Sequence, residues 1–156
     1  MAPSADFTVR KLQPSDVTLM GAMMTVFGEA FNEVDTYTGA RPSIRYLEHL
    51  LGGSHLIVLA ALKHSVVVGG LIAYELQKFE QERSEIYIYD VAVVEAHRCQ
   101  GIATALIEEL KTLAAERNAY AIFVQADLAD APAIALYTKL GTRAEVLHFD
   151  IGIGWS

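Results

Sequence analysis

The fold is decided by the stretch SEIYIYDVAVVEAHRCQGIATALIEELKTLAAERN, residues 84–118. Its first part, 84–94, is rich in β-branched and aromatic residues and predicts a strand, and 103–118 has the apolar spacing of an amphipathic helix. Between them, Arg98-Cys99-Gln100-Gly101-Ile102-Ala103 predicts a tight turn. A strand, a small-residue turn and a helix direct free backbone N–H groups and the positive helix end to one point, which suits a diphosphate. The sequence therefore predicts an anionic cofactor at this turn.

A second motif follows a predicted buried strand at 120–126 and consists of Asp130-x-x-Ala133-Ile134-Ala135-Leu136-Tyr137-x-Lys139-Leu140-Gly141. The first motif, Arg-x-x-Gly-x-Ala, resembles the acetyl-CoA signature of the GNAT acetyltransferase superfamily, and the second resembles the family's short helix that carries a Tyr near the cofactor sulfur. By itself the first motif fits an ordinary strand-to-helix turn equally well, but two motifs in the expected order are far more specific. The resemblance implies that acetyl-CoA is bound by Val91, Ala92, Val93, Arg98, Cys99, Gln100, Gly101, Ile102, Ala103, Thr104, Asp130 and Ala133.

Length and composition indicate one folded domain, 1–156. The chain has 156 residues, of which 53% are hydrophobic and 20% charged, enough to bury a core of its own. The segment Met1-Ala2-Pro3-Ser4 has no secretory pattern, and the lone Cys99 fits a reducing compartment, so we expect a cytoplasmic protein. The most apolar stretch, 56–74, is interrupted by Lys63-His64-Ser65 and Gly69-Gly70, which favours a hairpin over a membrane span.

The net charge of −7 and pI near 5.1 argue against sequence-independent binding to nucleic acid or to anionic membrane. This charge would suit a cationic substrate, although solubility alone also explains it. The five histidines show no close pair of ligands and a lone cysteine completes no zinc set, so we expect no metal site.

Periodicity and turn residues predict an α/β domain, and the GNAT resemblance implies a mixed central sheet with helices on both faces. The predicted strands cover 7–12, two strands within 56–74, 84–94, 120–126 and 143–151. The predicted helices are one that begins at Pro14 and others at 43–51, 103–118 and 132–140. The polar segment 32–41 predicts a turn-rich connection.

Asp90 ends an apolar row, because strict alternation places Ile86, Ile88 and Asp90 on one strand face and Tyr87 and Tyr89 on the other. One interpretation is structural, with Asp90 capping a turn or pairing with a basic side chain such as Arg83 or Arg98. The other is catalytic, because a partly desolvated carboxylate has a raised pKa and can accept a proton from an ammonium group. The GNAT resemblance favours the catalytic base, since such enzymes commonly take it from this strand.

A closer resemblance runs from about residue 66 to 151. The segments SEIYIYD (84–90), GIATALI (101–107), VQAD (124–127), ALYTKLG (135–141) and HFDI (148–151) resemble aminoglycoside 3-N-acetyltransferases of the gentamicin-modifying type. The resemblance implies acetyl transfer to the 3-amino group of a 2-deoxystreptamine ring, which confers antibiotic resistance. It implies Asp90 as general base and Tyr137 as the acid that protonates the leaving thiolate, with backbone N–H groups near Val91–Val93 stabilising the oxyanion.

A polyamino sugar is a multiply charged cation, so carboxylates should orient it by charge-assisted hydrogen bonds. The candidates are Asp35, Glu82, Asp127 and Asp150, of which Asp127 and Asp150 follow apolar residues of predicted strands. The chain departs from many superfamily members in carrying Asp130 where Asn is common, and an acid cannot donate as an amide does.

Two other functions stay open from the sequence. One is acetylation of a polyamine, another small amine or a protein N-terminus, and the other is an acyl-CoA-binding sensor without turnover. The presence of both Asp90 and Tyr137 argues against the sensor. The apolar tail 151–155 could cover a sheet edge or join a dimer contact, and because members of the family often pair we expect a homodimer.

Overall fold

The computed structural model describes residues 6–154, so the segment Met1-Ala2-Pro3-Ser4 and Trp155, which enter the predictions above, lie outside it. The chain divides into two compact units after Gln125. The elements of the first unit are β1 (Thr8–Lys11), α1 (Val17–Ala30), α2 (Val34–Thr38), α3 (Ile44–Gly52), β2 (Leu56–Lys63), β3 (Val66–Gln77), β4 (Ser84–Val93), α4 (Ile102–Glu116) and β5 (Ala119–Val124), with 3₁₀ turns at Pro14–Asp16 and Glu95–His97. The second unit contains α5 (Ala131–Leu140).

The first unit is built on one five-stranded sheet in the order β1-β2-β3-β4-β5. The pairs β1–β2, β2–β3 and β3–β4 are antiparallel, whereas β4–β5 is parallel. A parallel pair needs a crossover connection, and α4 supplies it. The mixed sheet and the α/β class that the sequence predicted are therefore confirmed.

Helices cover both faces of this sheet. Successive residues of a strand point to opposite faces. In β3, a Cβ at Gly69 would lie 3.1 Å from the side chain of Ile102 at the start of α4, whereas a Cβ at the adjacent Gly70 would overlap Met23 of α1. The two glycines thus let α4 and α1 approach the backbone from opposite sides. The strand β2 is buried on both faces as a result, from Leu56 to Ala61.

The strand predicted at 120–126 forms as β5 but is not buried as predicted, because Tyr120 and Phe123 are exposed. Two predictions of secondary structure are wrong. The segment 32–41, predicted as a connection, contains the five-residue helix α2. The segment 143–151, predicted as a last strand, pairs with no strand among residues 6–154. A strand is stabilised by its ladder partner, which alternation of apolar residues does not guarantee. Apolar side chains of this segment are exposed instead, such as Leu147 and Phe149.

Candidate active site

The strand β4 carries a bulge at Tyr89. Ile88 pairs with Ala73 but Asp90 pairs with Ile72, so β4 has one more residue than β3 at this point. An extra residue shifts the side-chain alternation that follows it. Asp90 therefore lies on the face of Ile72, which belongs to the core under α1 and α3. The predicted common face with Ile86 and Ile88 is wrong, because strict alternation assumes an unbroken ladder.

The bulge presents Asp90 to a pocket of about 180 Å³ on the side of the sheet that α1 and α3 cover. Four tyrosines line it together with apolar side chains, and among the described residues around it Asp90 is the one carboxylate. The tyrosines are Tyr37, Tyr46, Tyr74 and Tyr89. The rings of Tyr74 and Tyr89 meet edge to face, with centroids 5.8 Å apart. A lone carboxylate in an aromatic pocket is poorly solvated, which favours its neutral form.

The surroundings of Asp90 decide its protonation. Burial raises its pKa above the ordinary value of 3.8, and the negative charge of Glu33 acts in the same direction. The Tyr37 hydroxyl donates a hydrogen bond of 2.9 Å to Asp90 Oδ2, which partly offsets the increase. Burial and the neighbouring carboxylate also raise the pKa of Tyr37 well above its usual value of 10, so Tyr37 remains a donor. Asp90 thus has the desolvated environment that suits a general base.

The structural alternative for Asp90 is not supported. The guanidinium of Arg83 lies over the ring of Tyr120, 3.8 Å from its centroid. Arg98 donates from Nε to the carbonyl oxygen of Val93 at 3.2 Å. The two bases that the sequence offered as partners are therefore directed elsewhere, and the described hydrogen-bond donor to the carboxylate is the neutral Tyr37.

Beyond the bulge, β4 remains paired with β3 but not with β5. Its parallel ladder with β5 runs from Ser84 to Ile88, whereas its antiparallel ladder with β3 continues to Val93. Val94 N–H bonds to β3 at the Val68 carbonyl, so by alternation the N–H groups of Val91 and Val93 face the open side. Beside Asp90 the sheet thus offers backbone donors of the kind that can hold an extended ligand or an oxyanion.

The turn before α4 has the predicted geometry. Gly101 adopts φ +80° and serves as N-cap of α4 without a side-chain capping bond, and Cys99 also has a positive φ of 61°. Gly101 is suited to this position because it has no Cβ to strain. The first N–H groups of α4, at Ile102, Ala103 and Thr104, are the uncapped donors of a helix N-terminus. Free N–H groups at a helix N-terminus are donors of the kind that can receive an anion.

The candidate substrate carboxylates of the first unit lie at different places. Asp35 is exposed on α2, two residues before Tyr37. Glu82 is exposed in the turn between β3 and β4, before the ladder pair Ser84–Gln77. A strand rises about 3.3 Å per residue, so the strand residues from Ser84 to Asp90 span roughly 20 Å, and Glu82 lies in the turn before Ser84. The fold thus places Asp35 on the same short helix as the Tyr37 that contacts Asp90, and it places Glu82 beyond the far end of β4.

In the second unit, Asp130 is the N-cap of α5, and its carboxylate accepts the Ala133 N–H at 3.1 Å. These two predicted cofactor residues therefore bind each other in the described structure. Tyr137 lies in α5, seven residues after Asp130. The carbonyl of Asp127 accepts the Asp130 N–H, and Asp150 lies 2.9 Å from His148 Nε2 in a segment that is not a strand.

Sequence reasoning missed the residues around Asp90. Tyr37 belongs to a segment predicted as a polar connection, and Tyr74 and Tyr89 were assigned only to strands. The sequence did offer one signal, an aromatic residue, Tyr37, shortly after Phe27 and Phe31 in the chain. In the structure the three rings form one cluster, with centroids 5.9 to 6.0 Å apart. An aromatic residue in an otherwise polar connection marks a segment that packs.

Residues 6–154 contain no group of three or more His, Cys, Asp or Glu side chains that could hold a metal ion. Within the same residues, no helix has the length and apolar character needed to cross a membrane.

A sequence model of the acetyltransferase (GNAT) family matches residues 22–142, and the chain belongs to this family. It is 60% identical to an aminoglycoside acetyltransferase from an uncultured soil metagenomic sample, with 96% of this chain and 100% of that chain covered and a TM-score of 0.95. A further metagenomic aminoglycoside acetyltransferase, solved in complex with sisomicin, is 27% identical, with 95% and 97% covered and a TM-score of 0.88.

Among curated proteins, an N-alpha-acetyltransferase of Saccharolobus solfataricus (strain ATCC 35092 / DSM 1617 / JCM 11322 / P2) is 31% identical over 108 residues. The matched region is 65% of this chain, and the chain spans about 65% of the length of that relative.

Proposed function

We propose that this protein transfers the acetyl group of acetyl-CoA to an amine of an aminoglycoside, at the 3-amino group of the 2-deoxystreptamine ring. One observation carries the proposal: a desolvated carboxylate, Asp90, lies in a tyrosine-lined pocket where β4 separates from β5. The similarity to two metagenomic aminoglycoside acetyltransferases supports the substrate class.

Asp90 is proposed as the general base. An aminoglycoside amine is an ammonium at neutral pH and must lose a proton before its lone pair attacks the thioester carbonyl. The raised pKa of Asp90 brings its basicity closer to that of the amine, so proton transfer becomes less unfavourable. The new C–N bond forms as the carbonyl oxygen becomes an oxyanion, which the N–H groups of Val91 and Val93 are proposed to stabilise.

Tyr137 is proposed as the general acid. Collapse of the tetrahedral intermediate breaks the C–S bond and expels a thiolate. A phenol with an ordinary pKa of about 10 keeps its proton at neutral pH and can donate it to the charged sulfur. The ammonium nitrogen loses two protons on becoming an amide. Asp90 takes the first before attack and passes it to solvent, and the second, which leaves the nitrogen of the tetrahedral intermediate, restores to Tyr137 the proton that Tyr137 gives to the sulfur.

Acetyl-CoA is proposed to bind at the turn before α4 and along the open side of β4. The uncapped N–H groups at the start of α4 suit its diphosphate. The residues proposed for it are Val91, Ala92, Val93, Arg98, Cys99, Gln100, Gly101, Ile102, Ala103, Thr104, Asp130 and Ala133. For the antibiotic we propose Asp35, Asp127 and Asp150, and Glu82 only for a part of the molecule remote from Asp90.

The test is release of free thiol from acetyl-CoA with gentamicin and sisomicin as acceptors, followed by NMR of the product to identify the acetylated amine. We expect turnover and a 3-N-acetyl product. Asp90→Asn should reduce kcat/KM by about 10²- to 10⁴-fold, and Tyr137→Phe should reduce kcat within the same range. Turnover unchanged in either variant would remove the role assigned to the substituted residue. If none of the deoxystreptamine compounds causes release of thiol, the proposed function is excluded.

A protein N-terminus is the second candidate acceptor, which the N-alpha-acetyltransferase relative from Saccharolobus solfataricus favours. A short peptide and spermidine as acceptors in the same assay separate these substrates from the aminoglycosides. Binding of acetyl-CoA without turnover of any amine would instead indicate an acyl-CoA sensor.

We also propose a homodimer. The second unit exposes the apolar side chains of Val146, Leu147, Phe149, Ile151 and Ile153, which pairing could cover. Light scattering should then report twice the chain mass of 17.1 kDa.

A further inference from the structure

We propose that Tyr37 is a positioning residue for catalysis: its hydroxyl holds one oxygen of the Asp90 carboxylate and directs the other toward the amine of the substrate. This inference rests on the proposed acetyl transfer, since it assigns Tyr37 a part in the action of the proposed base. The contact itself is a hydrogen bond of 2.9 Å between Tyr37 Oη and Asp90 Oδ2.

Packing fixes the ring of Tyr37 independently of this hydrogen bond. The ring lies 6.0 Å from Phe27 and 5.9 Å from Phe31, measured between centroids, and those two rings stack on each other. Phe27 is only 2% exposed, so the cluster is anchored in the core. A hydroxyl on a ring held in this way costs little additional entropy to orient.

The backbone between α1 and α2 brings Tyr37 to its position. Asn32 adopts a left-handed φ of 55°, a conformation that Asn tolerates better than most residues, and the chain folds back behind it. The Glu33 N–H then bonds to the Gly28 carbonyl at 2.8 Å. A Cβ at Gly28 would lie 3.1 Å from Val34 Cα and 3.4 Å from Tyr37 Cβ, so the absence of a side chain at Gly28 allows α2 to lie against α1.

A neutral donor suits this task better than a cation. An arginine or lysine beside Asp90 would favour the ionised carboxylate strongly and weaken it as a base. Tyr37 gives direction with a smaller effect on basicity, and its own raised pKa keeps the hydroxyl protonated. Of the groups facing Asp90, Glu33 raises its pKa, Tyr37 lowers it, and Tyr74 and Tyr89 are neutral neighbours in the pocket.

The first test compares Tyr37→Phe with the wild type across pH. The variant keeps the ring and loses the bond that lowers the pKa of Asp90, so Asp90 stays protonated to higher pH. We expect the acidic limb of kcat/KM to move to higher pH, with about a tenfold loss of kcat/KM on that limb, the factor for one hydrogen bond to a charged group. KM for acetyl-CoA should not change. An acidic limb identical to that of the wild type would overturn the proposal.

The matched control is Tyr120→Phe at the start of β5, which removes a similar hydrogen bond, of 2.8 Å, from the tyrosine hydroxyl to Glu85 Oε2 of β4. We expect its pH profile to equal that of the wild type. A limb that moves equally in Tyr120→Phe would mean that loss of any such bond perturbs the enzyme, and it would also overturn the proposal.

The second test needs no turnover. The ¹³C carboxyl resonance of Asp90, assigned by its absence in Asp90→Asn, is titrated in the wild type and in Tyr37→Phe. We expect a higher midpoint in the variant, and an unchanged midpoint overturns the proposal even if no acceptor is ever acetylated. Wild-type inactivity toward aminoglycosides, by contrast, would exclude the proposed function alone. If Tyr37→Phe does not fold, Gly28→Ala replaces it, because displacement of α2 should raise the same midpoint.

Discussion

Two aspartates of the first unit, Asp16 and Asp90, have contrasting surroundings. Asp16 is 6% exposed, and both of its carboxylate oxygens accept hydrogen bonds. Oδ1 accepts from Arg10 Nη2 at 2.6 Å, and Oδ2 accepts from the Gln13 N–H at 2.8 Å. Asp90 is also partly buried but accepts its described hydrogen bond from one neutral hydroxyl. Asp16 is thus a structural carboxylate, whereas the environment of Asp90 lowers stability in exchange for basicity.

The first prediction is therefore that Asp90→Asn raises the melting temperature at pH 7 while Asp16→Asn lowers the free energy of unfolding by about 1–3 kcal/mol. For Asp90 the sign follows from its raised pKa: folding disfavours the ionised form, so stability is lost as pH rises through the folded-state pKa. The neutral amide removes that loss. Thermal denaturation at pH 7 and again at acid pH checks it, because the gain should shrink where Asp90 is already protonated. A lower melting temperature for Asp90→Asn at pH 7 would contradict it.

At the scale of elements, the approach of α1 to α2 depends on Gly28. Gly21→Ala, on the same helix, is the matched control, because its new Cβ would meet only Arg41 Nη1, at 3.6 Å. The second prediction is that Gly21→Ala stabilises the protein by up to about 1 kcal/mol through helix propensity. In Gly28→Ala the same gain should be cancelled, because the new Cβ crowds Val34 and Tyr37. Chemical denaturation measures both. Equal stabilisation by the two substitutions would contradict the packing role of Gly28.

The third prediction concerns the start of α4. Gly101→Ala places a Cβ at φ +80°, where no described atom lies within 4 Å, so the penalty is conformational and about 1 kcal/mol. The turn should relax away from its anion-binding shape, and KM for acetyl-CoA should rise more than KM for the antibiotic. Gly53→Ala, at an ordinary φ of −83°, is the control. If both Michaelis constants stay at their wild-type values, the turn does not bind the cofactor.

Most elements of the first unit were predictable because their signals are local. The helix α1 follows from the Met and Phe spacing after Pro14, and β2 and β3 follow from two apolar runs around Lys63-His64-Ser65. The helix α2 was missed because its five residues are too few to show a helical period. The prediction of a strand at 143–151 was wrong because alternation of apolar residues indicates which side chains share a face of a strand, but it does not show that a neighbouring strand is available for pairing.

The residue types of the candidate site could be predicted from the sequence, but the face of the sheet on which Asp90 lies could not. Asp90 and the turn at Gly101 stand out as residue types in a pattern. The orientation of Asp90 depends on the bulge at Tyr89, which arises from the pairing of two strands and has no signature within β4 alone. The hydrogen bond from Tyr37 joins residues 53 positions apart, a separation that no local pattern encodes.

At the scale of the whole molecule, the net charge of −7 predicts different salt effects on the two proposed substrates. A polycationic aminoglycoside should be attracted by such a charge, and salt screens that attraction, so its KM should rise with ionic strength. Acetyl-CoA is an anion, so its KM should fall or stay constant. Steady-state kinetics from low salt to about 0.5 M check both in one enzyme preparation. A KM for the antibiotic that is independent of salt would mean that charge does not guide its binding.

The bulge at Tyr89 also bears on how such a site can be gained or lost in descent. The face of Asp90 is set by its pairing with Ile72, and deletion of Tyr89 would leave that pairing within an unbroken ladder, so the carboxylate would keep its side of the sheet. The lost codon would instead remove the ring that meets Tyr74 edge to face in the pocket. A lineage could therefore drop this residue and retain the acid on the same face, with one aromatic wall of its cavity gone.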